Sequence, residues 1–165
     1  MGIATSYKET LLEPLLHALK FRYVEGVAPY LASLLVAYLK HLGEPPRLLK
    51  QSPLVIPVPL STERFRERGF NQSELIAAPF AAHFNYQLRT DILHRTHSQP
   101  QSQIHSRVDR LKNIVGVFKA EPPAASHSPV ILIDDITTTG ATLDDAVRAL
   151  RSANYGPILA LTVAG

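Results

Sequence analysis

Apolar residues recur along this chain with two different periods. Over Tyr7 to Lys20, Leu11, Leu12, Leu15, Leu16 and Leu19 fall on one face at helical spacing, and Pro14 starts or kinks that helix. Phe21 to Gly26 predicts a turn. Val27 to Leu42 predicts a second helix, with Leu31, Leu34, Leu35, Tyr38 and Leu42 in line and Gly43 as its stop. Glu44, Pro45 and Pro46 read as a linker. Leu54 to Leu60 (LVIPVPL) is a short β-branched run and predicts a strand, with Pro57 and Pro59 at its end because neither can donate to a ladder. Ser61 to Gly69 reads as a charged loop, and Phe70 to Phe84 as a helix perturbed by Pro79. Tyr86 to Leu93 predicts a strand. Arg95 to Gln103 predicts a mobile exposed loop, Ser106 to Ile114 a short basic helix, and Val115 to Phe118 a short strand. A linker follows from Glu121 to Pro129.

Val130 to Ile133 breaks the amphipathic pattern, being apolar on both faces. That predicts a strand covered on both sides, hence a parallel α/β sheet. Leu143 to Ala153 predicts a helix and Ile158 to Val163 a last buried strand, which together make one βαβ unit. The whole is expected to be an α/β domain with a central, mostly parallel sheet flanked by helices. Residues 1–165 form one domain, with 1–50 as a helical hood and 51–165 as the core.

Composition narrows the function classes. A chain of 165 residues with 45% hydrophobic and 19% charged residues fits an ordinary globular domain. Leu31 to Leu39 is about half of the ~20 apolar residues a membrane span needs, and no secretory signal is visible. Cysteine is absent, which excludes disulfides and thiolate chemistry and fits a cytoplasmic location. The net charge of +3 suits an anionic small molecule as well as nucleic acid.

The candidate chemistry lies where the central strand ends, at Val130 to Leu143 (VILIDDITTTGATL). In open α/β sheets ligands bind beyond the carboxyl ends of strands. A helix starting near Leu143 directs free N–H groups and its positive dipole end at this loop, which makes an anion site. Gly140 admits a close phosphate and the threonine hydroxyls add donors. Asp134 and Asp135 are acceptors suited to the two hydroxyls of a ribose. The acidic strand end of a P-loop nucleotidase would need Gly-Lys-Ser/Thr, and none of the eight glycines precedes a lysine. A plain strand–turn–helix capped by Thr142 is the bland alternative. Against it, two adjacent carboxylates seldom end a buried strand without partners.

Asp-Asp-Ile-Thr-Thr-Thr-Gly-Ala-Thr resembles the phosphoribosyl pyrophosphate (PRPP) motif of the type I phosphoribosyltransferases. Pro57-Val58-Pro59, Arg64 to Ser73 (RFRERGFNQS), Arg95, Pro100-Gln101 and Arg110-Leu111-Lys112-Asn113 to Phe118 resemble the ComF/GntX, competence-protein-F-related branch. The resemblance covers roughly Leu11 to Ala164. Branch members usually begin with a four-cysteine zinc finger, for which this chain has no cysteines.

The resemblance implies PRPP-binding roles for Asp134, Asp135, Thr137, Thr138, Thr139, Gly140, Ala141 and Thr142. The aspartates would hold the ribose hydroxyls, and Thr138 to Thr142 the 5′-phosphate. Thr138 stands where some relatives carry an acidic base. Arg64, Arg66, Arg68 and Arg95 are the candidates for pyrophosphate, against the alternative that Glu63 and Glu67 merely pair with the loop arginines. Residues 95–107 would close over the site as a lid, and His97 and His105 are available for proton transfer. Mg²⁺ would arrive with the pyrophosphate, with Asp134 and Asp135 as its only direct candidates. The implied activity is phosphoribosyl transfer to an unknown acceptor. The alternative is a catalytically weak PRPP-fold protein in DNA uptake or processing, with Arg89, Arg95, Arg107, Arg110 and Lys112 as a surface for single-stranded DNA. Expected partners are therefore a phosphorylated ribose, single-stranded DNA or DNA-processing proteins, and a second copy of the chain in a homodimer, with no membrane.

Overall fold

A computed structural model describes residues 2–5, 12–21, 24–41, 47–96, 116–124 and 127–165. In chain order they form β1 (Gly2–Thr5), α1 (Leu12–Phe21), α2 (Ala28–His41), β2 (Leu54–Pro57), α3 (Thr62–Arg68), α4 (Gln72–Phe84), β3 (Leu93–Arg95), β4 (Phe118–Ala120), β5 (Val130–Ile136), α5 (Ala141–Ser152) and β6 (Ile158–Ala164). Four strands make a parallel sheet in the order β1-β6-β5-β2, and β3 and β4 form a separate antiparallel pair.

The two-sided apolarity of β5 has the expected consequence. Ile131 and Ile133 point into one apolar cluster with Leu16 and Leu19 of α1, Leu31 and Leu35 of α2, and Ile76 and Phe80 of α4. Val130 and Leu132 point into a second cluster with Leu143, Ala146 and Leu150 of α5. The leucine faces of α1 and α2 thus belong to the main core. Among the described residues no helix is long and apolar enough to cross a membrane.

Several expected boundaries shift, each for a local reason. Residues 61–69 are not a loop but helix α3. Ser61 caps it, its Oγ accepting the Arg64 amide at 3.3 Å, and Gly69 closes it at φ 78°. α3 buries no residue, so its sequence shows no apolar period. The strand expected over Tyr86 to Leu93 is reduced to one bridge, Leu88 to Val55. Past it Arg89 donates to both carboxylate oxygens of Asp91 (2.7 and 2.8 Å), and regular pairing resumes only at Leu93. Arg95 sits in β3, half-buried rather than in a mobile loop. The strand expected at Val115 to Phe118 begins only at Phe118, because the Gly116, Val117 and Phe118 amides are taken by the Asp145 carboxylate. β5 runs three residues past Ile133, paired to β6 as far as Ile136. The helix after it starts at Ala141 behind Gly140, so Thr142 is no cap. β1 has no counterpart in the hydrophobic pattern, four residues being too short for a period to show. The helix expected at 106–114 and the loop at 97–103 lie outside the described residues.

Candidate phosphate–sugar site

The sheet opens at one point. β2 pairs with β5 only as far as Pro57 opposite Ile133, and the last rung is the Val58 amide on the Ile133 carbonyl at 2.9 Å. Pro57 and Pro59 share the register of Val55, whose amide faces Gln87 on the other side, so their missing amides are not ones that would face β5. β5 continues alone on that side, and a cavity of about 310 Å³ lies beyond the end of β2. Asp134, Asp135, Arg64, Arg68, Arg95 and Thr142 all line it.

The Gly-Phe-Asn-Gln-Ser stretch that joins α3 to α4 builds one wall. Asn71 Nδ2 donates to the Val58 carbonyl (3.1 Å), and its Oδ1 caps α4 by accepting the Ser73 amide (3.1 Å). This pins the start of α4 to the exit of β2. Ser73 Oγ then donates to Asp134 Oδ1 at 2.8 Å. Gln72, 1% exposed, lines the cavity, and its Nε2 has no partner among the described residues.

On α3, Arg64 and Arg68 are four residues apart and share the face toward the cavity. Arg66, two residues on from Arg64, is exposed on the far side. Arg95 enters from β3 with its guanidinium 5.4 Å from the Phe118 ring centre, and its Nε is buried without a partner among the described residues. Burial, and then the like charge of Arg64, lower its pKa; Asp134 and Asp145 oppose that shift.

The acidic pair is already engaged. Asp134 Oδ1 also accepts the Asp135 amide at 2.9 Å, and Asp135 Oδ1 accepts the Ile136 amide at 2.7 Å. Lys20, from the last turn of α1, places Nζ 2.6 Å from Asp135 Oδ2. Burial and the adjacent Asp135 charge push the Asp134 carboxyl up to about 7, against the pull of Ser73, the Asp135 amide and Lys20.

Of the loop that follows, Thr142 lines the cavity and Thr137 to Ala141 do not. Thr137 is buried and its Oγ1 accepts the Gly140 amide at 3.1 Å. Thr138 and Thr139 are exposed, and Thr139 Oγ1 accepts the Ala141 amide at 3.4 Å. Gly140, at φ 77°, turns the chain into α5 with no side-chain cap. The amides at the start of a twelve-residue helix therefore open beside the acidic pair.

No protein-family model matches the chain. It is 33% identical over 140 residues to the DNA utilization protein YhgH of Shigella flexneri, covering 84% of this chain and 60% of that protein. It is 37% identical over 97 residues to competence protein ComFC of Bacillus subtilis, covering 59% of this chain and 38% of that one. Competence protein F of Haemophilus influenzae is 33% identical over 108 residues, 62% of this chain and 46% of that one. The chain belongs to the family of the DNA utilization protein YhgH and the ComF competence-related proteins. It spans 60% of the length of the YhgH relatives it matches. A hypoxanthine phosphoribosyltransferase from Staphylococcus aureus is similar at a TM-score of 0.40 and 18% identity, over 84% of this chain and 62% of that one.

In this ComF-related chain the site contains three residues that the sequence did not single out: Lys20, Gln72 and Ser73. Gln72 and Ser73 stand inside the RGFNQS stretch, so the motif was visible but not its division of labour. Lys20 carries no local signal at all, since only the fold brings α1 to β5. The residues do not fit a divalent ion held by the protein itself. Three of the four carboxylate oxygens of the pair already accept donors, one of them from the Lys20 ammonium, and no group of three or more His, Cys, Asp or Glu occurs that could hold a metal among the described residues. The basic surface read from Arg89, Arg95, Arg107, Arg110 and Lys112 does not assemble from its described members. Arg89 is bound to Asp91 and Arg95 lines the cavity, while the other three lie outside the described residues.

Proposed function

We propose that the chain binds PRPP, or a nucleotide 5′-phosphate, and transfers the phosphoribosyl group to an acceptor with release of pyrophosphate. One observation carries this reading: a single polar cavity sets an acidic pair at a strand end against three arginines from two other elements. The ribose 2′ and 3′ hydroxyls donate to Asp134 and Asp135. The 5′-phosphate takes the amides and hydroxyls between Thr138 and Thr142, where the α5 dipole favours an anion. Pyrophosphate lies toward Arg64, Arg68 and Arg95.

In the reaction the bond from the anomeric carbon to pyrophosphate breaks, and one from the acceptor forms as the acceptor sheds a proton. Negative charge grows on the leaving group, and arginines fixed in advance are worth most at that moment. Mg²⁺ would enter as the counter-ion of the ligand's pyrophosphate and neutralise charge there. Thr138 lacks the basicity to take the acceptor's proton.

The relatives' names point to competence and DNA utilization, and one observation favours a nucleic-acid acceptor or ligand. Phe65 is 48% exposed on α3, beside Arg64 and one turn from Arg68. An exposed aromatic among arginines suits the stacking of an unpaired base. The test is to titrate PRPP with Mg²⁺ and then measure pyrophosphate release with bases, amines and single-stranded DNA as acceptors. Binding and release, both lost in Asp134→Asn, support transfer. Binding without release supports the weakly catalytic, DNA-linked reading. No binding, with Asp134→Asn indistinguishable from the unaltered chain, removes both.

A further inference from the structure

The Lys20–Asp135 contact sits in the ribose half of the proposed site. Both side chains are largely buried, 19% and 13% exposed. Lys20 is not a surface lysine that happened to fold over. α1 is locked by Leu12, Leu16 and Leu19, which are 3%, 1% and 0% exposed, and Lys20 follows directly on that buried face. The ammonium is therefore delivered to the acidic pair by the core itself.

An ammonium carries three donors and a full charge. One donor meets Asp135 Oδ2 at 2.6 Å, and Lys20 lines the same cavity as Asp134. A magnesium ion wants six oxygens at about 2.0–2.1 Å in octahedral geometry. At this pair it would meet the Lys20 ammonium already in contact with Asp135 Oδ2, and the two cations would repel each other while competing for the same carboxylate charge. The three arginines enter the cavity from α3 and β3, whereas Lys20 enters from α1 in direct contact with the pair.

We propose that Lys20 is the resident cation of the acidic pair, and that it makes binding of the ribose 5-phosphate half of the ligand independent of a divalent metal. The ligand half rests on the proposed function; exclusion of metal by Lys20 does not. When the ribose binds, its hydroxyls join the carboxylates while the ammonium stays and donates to a ribose or phosphate oxygen.

The experiment uses the full chain as such, with Lys20→Met and Lys20→Arg, thermal melts first confirming that each is folded. Ribose 5-phosphate, which has the diol and the phosphate but no pyrophosphate, is titrated calorimetrically in EDTA and in MgCl₂. Mn²⁺ is titrated separately without ligand and followed by electron paramagnetic resonance. The unaltered chain should bind ribose 5-phosphate equally in both buffers and hold no Mn²⁺ at the pair. Lys20→Met should lose roughly ten- to hundredfold in EDTA, the worth of one hydrogen bond to a charged group. It should also gain a Mn²⁺ signal that a further Asp135→Asn change abolishes. Lys20→Arg should keep the metal indifference, and this arm decides the matter should Lys20→Met fail to fold. Binding by the unaltered chain only with Mg²⁺ overturns the proposal, as does unchanged EDTA affinity in Lys20→Met. Mn²⁺ bound to the unaltered chain and lost in Asp135→Asn overturns it as well. If the unaltered chain binds no ribose 5-phosphate in either buffer, the proposed function and the ligand half fall together, and the Mn²⁺ arm still judges the metal-excluding role.

Discussion

Asp134 is asked to be two things at once: a buried neighbour of Asp135 and an acceptor for a sugar hydroxyl. Its folded pKa of about 7 lies above the ordinary carboxylate value of about 3.9. Between those limits the folded chain holds a proton that the unfolded chain has released, so stability falls as pH rises from about 4 through 7. Asp134→Asn should flatten that slope, which urea denaturation at pH 5 and pH 8 measures. Ribose 5-phosphate affinity should instead rise over pH 6 to 8, as the carboxylate becomes the better acceptor. Asp145 makes the opposite case. It is 3% exposed yet accepts three consecutive amides, Gly116 to Phe118, at 2.7 to 3.1 Å, as well as Arg148 at 3.0 Å. Asp145→Asn removes the charge these donors meet and should cost about 2 kcal/mol or more in urea denaturation. In sequence the two residues look alike, each one of an Asp-Asp doublet. Only the doublet at the end of an apolar run could be read as a site, because only there does the sequence itself announce the burial; Asp145 is buried by tertiary packing alone.

At the scale of elements, α3 carries the clearest test. Its helical turn selects Arg64 and Arg68 for the cavity and leaves Arg66 outside. Arg64→Ala and Arg68→Ala should each weaken pyrophosphate binding by roughly ten- to hundredfold, as expected for a lost charge-assisted hydrogen bond. Arg66→Ala should leave it within error in the same calorimetric titration. Had residues 61–69 been a loop, no such alternation would be expected. Ser61 and Gly69 announce the helix in retrospect, but a seven-residue helix with no buried face has no hydrophobic period to read. α1, α2, α4, β2, β5, α5 and β6 were legible because each buries a regular set of apolar positions. β1 was not, nor were the described stretches 86–96 and 116–120. There the chain is shaped by side-chain capture of backbone amides and by the Arg89–Asp91 pair rather than by periodicity. The site followed the same division. Its strand-end half was legible as a contiguous motif, whereas the approach of α1 and α4 depends on tertiary packing.

For the molecule as a whole, β5 and β6 each supply residues to both apolar clusters, one on each side of the sheet. Leu16→Ala on one side and Leu132→Ala on the other should each cost about 2–5 kcal/mol. Because the sheet joins the two sides, each variant should still unfold in a single transition when intrinsic fluorescence and circular dichroism are compared. Two separated transitions would show that the layers are independent. The same sheet explains why the cavity exists. Where β2 leaves β5, the ladder stops at the Val58 amide, and β5 runs on past it to Ile136. The charged residues could be exchanged for others and the hollow would remain. In that sense the point where β2 parts from β5 fixes where chemistry can happen in this fold, and the residues around it decide which chemistry it is.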